Sequence, residues 1–435
     1  MTKIPSQKTG TPAVEEVLSD LIKIQSVNPP GGETAVAQYL KHLFDGYKIP
    51  NEIIEPQPGR ASFIASMGEG KRRLLYLSHT DVVPASEGWN FSPFSGEIKD
   101  GFVHGRGAID CKGLVAVEAC AAISLAQEGK LKGKLIFAAT ADEEVGGVLG
   151  MGVLAEKYPD KIRADFAINE GGEPMKLKGK VLHSISVGEK GPAWMKLTAS
   201  GVSSHGSVPV NENNAVVKMV KVISKLADYK PRVVLTPETK NLVQTIASLD
   251  GLNEEVHEGN LDDILQKMSD RTVALFLSAV TRMTISPDVI QGGVKTNIIP
   301  DSCSAQVDIR ILPGQDWNYV LKELKDIFGD VKAEPLQYHQ PSFSSSGNEY
   351  YRLTESTLKE FVGDVPILQM VGTGATDSRY LREMGVASYG IGVMTLNADQ
   401  SLSDSVHGKN ERIDIDSLRL KTDFLVRLAQ RYLGE

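Results

Sequence analysis

The sequence predicts an α/β protein, a mostly parallel sheet sandwiched by helices, with an inserted α+β domain of ferredoxin-like pattern. Three observations predict it. Short apolar runs alternate with helix-spaced segments at both ends of the chain. The middle switches to long alternating stretches. The chain has 435 residues, beyond the ~250–300 at which a single core stops growing.

The elements follow in order. Val14, Val17, Leu18, Leu21 and Ile22 have helical spacing and predict a helix over 13–27. The run NPPGG at 28–32 ends it, and helical spacing resumes over 35–44. Apolar runs at 73–77, 134–140 and 166–168 read as buried strands, with a helix over 113–127 between the first two. Near 184 the pattern changes: SISVGEKGPAWMKLTASG reads as one long strand. A helix over 214–229, two strands between 280 and 314, a helix over 318–328 and a strand over 331–338 complete the inserted domain. Its order is strand–helix–strand–strand–helix–strand. Residues 235–285 read as a polar, helical insertion within it. The expected division is 1–185 plus 339–435 for one domain and 186–338 for the other.

Composition narrows the function. A net charge of −8 argues against a nucleic-acid binder, which needs a basic surface. The three cysteines, Cys111, Cys120 and Cys303, make neither a disulfide framework nor a cysteine zinc site. The N-terminal segment lacks the apolar core of a signal peptide, and no run of 18 apolar residues occurs. The expectation is a cytoplasmic protein without a membrane partner. No phosphate-binding loop of the G-x-x-x-x-G-K-[ST] type is present.

The chemistry sits in acids and histidines at predicted strand ends. His79 closes the strand before HTDVVPA, and Asp81, two residues on, points the same way and can accept a hydrogen bond from its ring. Asp110 follows two glycines and opens a helix. Glu143 and Glu144 follow the strand in FAATADEEVGG, and Glu170 follows the one in FAINEGG. His407 stands in SVHGKNERI and His205 in SSHGSVP. Taken singly, each has a plainer reading: a turn histidine, an N-capping aspartate, a solvated acidic loop. Together His79, Asp110, Glu144, Glu170 and His407 form a five-member nitrogen and oxygen donor set, suited to zinc, cobalt or manganese. One bridging carboxylate with two further ligands per ion suits a pair of ions, and Glu143 is left as the proton carrier. His42, His104, His183, His257 and His339 have no partner pattern, and Trp89, Phe91 and Phe94 read as loop packing. Lys112 is assigned no catalytic role.

These motifs, in this order, resemble the zinc peptidase/deacylase family of aminoacylase, acetylornithine deacetylase, succinyl-diaminopimelate desuccinylase and glutamate carboxypeptidase. HTDVVPA, GEIKDGFVHGRGAIDCKG, ADEEVGG, NEGG, SSHGSVP, TNIIPDSCSAQVDIRILPG, GTGATDSRYL and HGKNERI carry the resemblance across almost the whole chain. It implies a catalytic domain of zinc-peptidase fold and a lid domain over 186–338 that also dimerises. It implies His79 and Glu170 on one zinc, Glu144 and His407 on the other, and Asp110 bridging them through a residue whose following peptide is cis. Asp81 would orient His79, and Glu143 would be the general base. His205 would polarise the scissile carbonyl, often across a dimer. Asn297, Arg310 and the Gly372–Thr373–Gly374 loop would bind substrate. Cys111 stands where methionine or aspartate is common, and the 235–285 insertion departs from the usual lid.

The resulting expectation is a two-metal hydrolase that cleaves the amide bond of an N-acyl amino acid. A carboxypeptidase or dipeptidase with the same metals is the second reading. A catalytically silent scaffold on the same fold is disfavoured, because Glu143 and all five ligands are present.

Overall fold

The computed structural model describes residues 10–392, 402 and 405–434. The described residues fall into two compact units. The first lies within Met1–Val187, Ser344–Met370 and Thr376–Glu435; the second is Gly188–Phe343 with Val371–Ala375.

The first unit is built on a mixed, mainly parallel sheet. Its strands run in the order Asn51–Ile54, Ser62–Met67, Lys134–Thr140, Arg73–His79, Phe166–Asn169, Ala387–Gly390 and Lys180–Glu189. The middle four are mutually parallel; Ser62–Met67 and Lys180–Glu189 run antiparallel to them, and Asn51–Ile54 runs antiparallel to Ser62–Met67. Arg73–His79 and Lys134–Thr140 are buried beyond their first residue, as expected of strands covered on both faces. Helix Lys112–Glu128 is apolar nearly all round because it packs against the sheet, Val14–Lys23 and Ile415–Leu433 at once. Gly129, at φ 62°, ends it by donating its N–H to the Leu125 carbonyl.

The second unit holds a four-stranded antiparallel sheet ordered Thr284–Gly292, Ser302–Ile311, Gly191–Ser200, Lys332–Tyr338. Helices Ala215–Asp228 and Trp317–Phe328 share its core through Met219, Leu226, Val320 and Leu324, against Met195, Leu197, Val307 and Ile309. The side chain of Asn214 caps the first helix by accepting from Val216 N at 3.0 Å. The insertion is helical: Pro237–Leu249, Leu261–Lys267 and Arg271–Val280.

Two expectations need correction. The stretch read as one strand near 184 is two, Lys180–Glu189 and Gly191–Ser200, in different sheets and separated by Lys190. Uninterrupted alternation conceals a change of sheet, because hydrophobic period reports which face is buried and not against what. The other concerns boundaries: the second unit begins at Gly188 and ends at Phe343, and it takes in Val371–Ala375 from the region assigned to the first domain.

Candidate metal centre and active site

Three neighbouring parallel strands deliver their carboxyl ends to one edge of the sheet, where open α/β folds collect their ligands. His79 is the last residue of Arg73–His79. Glu143 and Glu144 form the turn after Lys134–Thr140, and Glu170 follows Phe166–Asn169. Asp110 stands just before helix Lys112–Glu128, and the Asp110–Cys111 peptide is cis. His407 stands in a turn at φ 57°.

These side chains converge. His79 Nε2 lies 2.9 Å from Asp110 Oδ1 and 3.6 Å from Glu170 Oε2. His407 Nε2 lies 3.0 Å from Asp110 Oδ2 and 3.2 Å from Glu144 Oε2. Asp110 thus turns one oxygen toward His79 and Glu170 and the other toward His407 and Glu144. Glu143 Oε2 is 4.0 Å from His79 Nε2.

The electrostatics fit a cation. Burial pushes the Glu143 carboxyl well above its ordinary range, and the Glu170 charge adds to it. Burial raises Glu170 as well. Hydrogen bonds to Asp110 and Glu144 lift His407 to about 10. At Asp110 the opposing effect of burial is overcome by hydrogen bonds from His407 and His79, and its carboxyl falls below the usual range. Imidazoles held protonated between carboxylates mark a place that calls for positive charge. Oε1 of Glu144 is also buried with no hydrogen-bond partner. A set of imidazole and carboxylate donors suits zinc, cobalt or manganese. Cys111 lies within ligand reach of His79 and Glu170 as well, and burial pushes its thiol up to about 12.

The turns that carry these groups are braced by buried struts. Glu411 accepts from the N–H groups of Gly107, Ile109 and Asp110 at 3.0, 2.8 and 3.1 Å, and pairs with Arg106 at 2.7 Å. The Asp142–Gly147 turn is held from two sides. On one, Arg60 pairs with both Glu33 and Asp142, and Asp142 sits at φ 75°. On the other, the Gly146 carbonyl accepts from Arg379 and from the Tyr380 hydroxyl. Asp377 Oδ2 accepts from Thr140 Oγ1 at 2.7 Å. Its Oδ1 occupies the space a Cβ on Gly147 would need, 2.4 Å away, and Gly147 is at φ 66°.

Asp81 sits against His79 and also braces the next turn. The ring Nδ1 of His79 lies 3.0 Å from the Asp81 carbonyl oxygen, whereas the nearest carboxylate oxygen is at 3.5 Å. The carboxylate also accepts from Asn28 Nδ2 at 2.8 Å and from the backbone N–H groups of Glu143 and Glu144 at 3.1 Å each. Extended geometry put Asp81 beside His79, and main-chain donors of a turn sixty residues away share its charge with the ring.

The remaining candidates lie in the second unit. His205 is exposed, with its Nδ1 2.7 Å from Ser207 Oγ, and its strand pairs with Ile298–Ile299. Asn297 is exposed beside it and accepts the Gly206 N–H at its carbonyl. Arg310 is half-buried, pairs with Asp308 at 2.8 Å and lies over the Trp194 ring. Gly372, Thr373 and Gly374 form the loop whose first carbonyl accepts the Lys190 N–H. The structure therefore gathers the five proposed ligands with Glu143 and Asp81 in one unit. It places His205, Asn297, Arg310 and the glycine loop in the other.

The model of Peptidase family M20/M25/M40 matches residues 75–431. The chain belongs to this family. It is a hydrolase acting on amide or peptide bonds. A probable succinyl-diaminopimelate desuccinylase of Staphylococcus aureus is 26% identical over 83% of the chain and 84% of its own length. The human N-fatty-acyl-amino acid synthase/hydrolase is 25% identical over 99% and 90%. A family M20 metallo-carboxypeptidase from Sulfolobus solfataricus has a similar fold, with a TM-score of 0.74 at 21% identity, over 97% of this chain and 99% of that one. Human carnosine dipeptidase 1 superposes with a TM-score of 0.64 at 18% identity, over 96% and 97%.

Within this M20 chain, several supporting residues escaped the sequence reading. Glu411 was quoted inside HGKNERI, and Asp377 and Arg379 inside GTGATDSRYL, without being singled out. Asn28 was read only as part of a helix-ending run. Their one available signal was a polar or charged side chain inside a motif. What they brace is distant in sequence, so only the folded chain reveals it.

Proposed function

We propose that the chain is a two-metal deacylase that cleaves the amide bond of an N-acyl amino acid. The observation that carries this reading is the convergence of His79, Asp110, Glu144, Glu170 and His407 at one sheet edge, with Glu143 beside them. His79 and Glu170 would hold one ion, His407 and Glu144 the other, and Asp110 both; zinc is the favoured metal, with cobalt or manganese as substitutes. When bound, such ions supply the positive charge that acidifies a water and polarises a carbonyl.

The chain's own groups do the rest. Glu143, buried beside the five ligands, takes a proton from the attacking water and returns it to the leaving amine. Asp81 fixes where Glu143 starts from, by holding its backbone N–H. His205 is assigned to the developing oxyanion. Arg310 and the Gly372–Thr373–Gly374 backbone are assigned to the substrate carboxylate, with Asn297 as a further substrate contact. The molecule is taken to act as a cytoplasmic homodimer joined through its second unit. The desuccinylase and N-acyl amino acid relatives support the deacylase reading. A carboxypeptidase or dipeptidase remains the second reading, favoured by relatives such as the probable carboxypeptidase S-like 2 of Dictyostelium discoideum.

The test is a panel of N-acetyl amino acids, N-acetylornithine, succinyl-diaminopimelate and dipeptides with added zinc, cobalt or manganese, each beside Glu143→Ala. The expected outcome is turnover of one N-acyl class that drops by ~10²–10⁴-fold in the variant. Turnover of dipeptides alone moves the assignment to the peptidase reading. Near-wild-type turnover in Glu143→Ala with metal bound removes Glu143 as proton carrier.

A further inference from the structure

The second unit contains a pocket of about 420 Å³, in the size range of small-molecule sites. One wall comes from the insertion and its approach: Val234, the start of helix Pro237–Leu249, and Val280 at the end of Arg271–Val280. The opposite wall is Leu312, Phe343 and Val371. Val280, Leu312 and Val371 are buried, whereas Phe343 leaves 38% of its surface exposed. A large ring half in water beside an apolar hollow is surface that a ligand can cover.

One residue fixes both walls. The backbone N–H of Lys190 donates to the Gly372 carbonyl, one residue beyond Val371. The Lys190 ammonium is buried and donates to the carbonyls of Ala279 and Arg282, on either side of Val280, at 2.9 and 3.0 Å, and to Thr284 Oγ1. The pocket is therefore pre-formed, and one of its lining residues, Val371, directly precedes the Gly372–Thr373–Gly374 loop. Around Gly374 a Cβ would meet nothing within 4 Å, so the loop backbone is open to approach. Among the described residues lining the pocket, only Glu238 is ionisable.

We propose that this pocket receives the apolar side chain of the amino-acid half of the substrate, and that the insertion exists to build its wall. The inference rests on the deacylase reading, in which the substrate carboxylate lies on the Gly372–Gly374 loop. The group next to a carboxylate in an amino acid is the α-carbon with its side chain, and the pocket wall at Val371 is one residue from that loop. Apolar lining favours leucine- or phenylalanine-like side chains. An acidic side chain meets the Glu238 charge and loses its hydration without a partner.

The test compares kcat/KM for zinc-loaded enzyme on N-acetyl-alanine, -leucine, -phenylalanine, -glutamate and -lysine. It is run with Val234→Phe, which fills the pocket from a partly exposed position, and with Phe343→Ala, which opens it. Binding of N-acetyl-leucine and N-acetyl-alanine is followed in parallel by calorimetry. Leucine and phenylalanine derivatives are expected to lead alanine by at least about tenfold, with glutamate below it. Val234→Phe is expected to cut the leucine-to-alanine ratio about tenfold, and Phe343→Ala to move preference toward N-acetyl-tryptophan. Hydrolysis with a ratio unmoved in both variants overturns the pocket and leaves the deacylase. A leucine preference in binding that Val234→Phe removes, without hydrolysis of any member, keeps the pocket and overturns the deacylase. Preference for N-acetyl-glutamate also overturns the pocket.

Discussion

In the first unit, Asp110 and Glu143–Glu144 stand on turns whose struts are buried: Glu411 under one, Asp81, Asp142 and Arg379 under the other. In the second unit, His205 and Asn297 stand exposed on a two-stranded ribbon, and His205 is held by little more than Ser207. The difference follows from charge. Carboxylates gathered within a few ångströms repel one another, so their backbones must be fixed by groups that themselves resist displacement. A lone imidazole faces no such repulsion and needs no such scaffold, and exposure leaves it free to move.

The contrast can be broken hardest at Glu411. Glu411→Ala leaves Arg106 buried without its partner and three N–H groups without an acceptor, so unfolding free energy is expected to fall by ~3–5 kcal/mol. Urea denaturation checks it, and a loss below about 1 kcal/mol would mean the turn holds itself. Glycine pairs sharpen the same contrast. Gly147→Ala forces a Cβ at positive φ against Asp377 and is expected to cost ~1–3 kcal/mol and most of the activity. Gly374→Ala enters open space and is expected to change stability by under about 0.5 kcal/mol.

Asp377 gives a pH signature. Burial pushes its carboxyl from 3.8 up to about 7. Between those values the folded protein binds the proton that the unfolded chain releases. The stability this group contributes is therefore full below about pH 4 and lost as pH rises through about 7. Asp377→Asn cannot titrate, so relative to wild type the metal-free variant is expected to gain on the order of 1–3 kcal/mol between about pH 4 and pH 8. Parallel pH dependences in the two proteins would place the carboxyl in its ordinary range. The smallest effect is expected in the second unit: His205→Ala should leave stability within about 0.5 kcal/mol while lowering kcat, read by thermal unfolding beside turnover. A large loss of stability there would mean that His205 is structural.

Within the first unit, the apolar runs and the acids after them were legible because a buried parallel strand must be continuously apolar, and chemistry gathers at its carboxyl end. Val14, Val17, Leu18, Leu21 and Ile22 were legible for the same kind of reason: burial of one helix face imposes its own period. The bracing was not legible. Nothing in the spacing of Asp81 says whether its carboxylate serves a ring two residues away alone or also two N–H groups sixty residues away, because hydrogen-bond competition is settled by three-dimensional proximity. The break at Lys190 was hidden likewise: alternation continues on both sides while the partner strands change.

By itself, then, the sequence determined the fold class and the acids and histidines that gather at the strand ends, since each depends on local period or on residue chemistry. The tertiary structure alone decided that Glu411 and Asp377 hold the turns, that Val371–Ala375 belongs with the second unit, and that the insertion walls a pocket with Lys190 at its back. Those are relations between residues tens to hundreds of positions apart, and only the packed chain brings them within reach of one another.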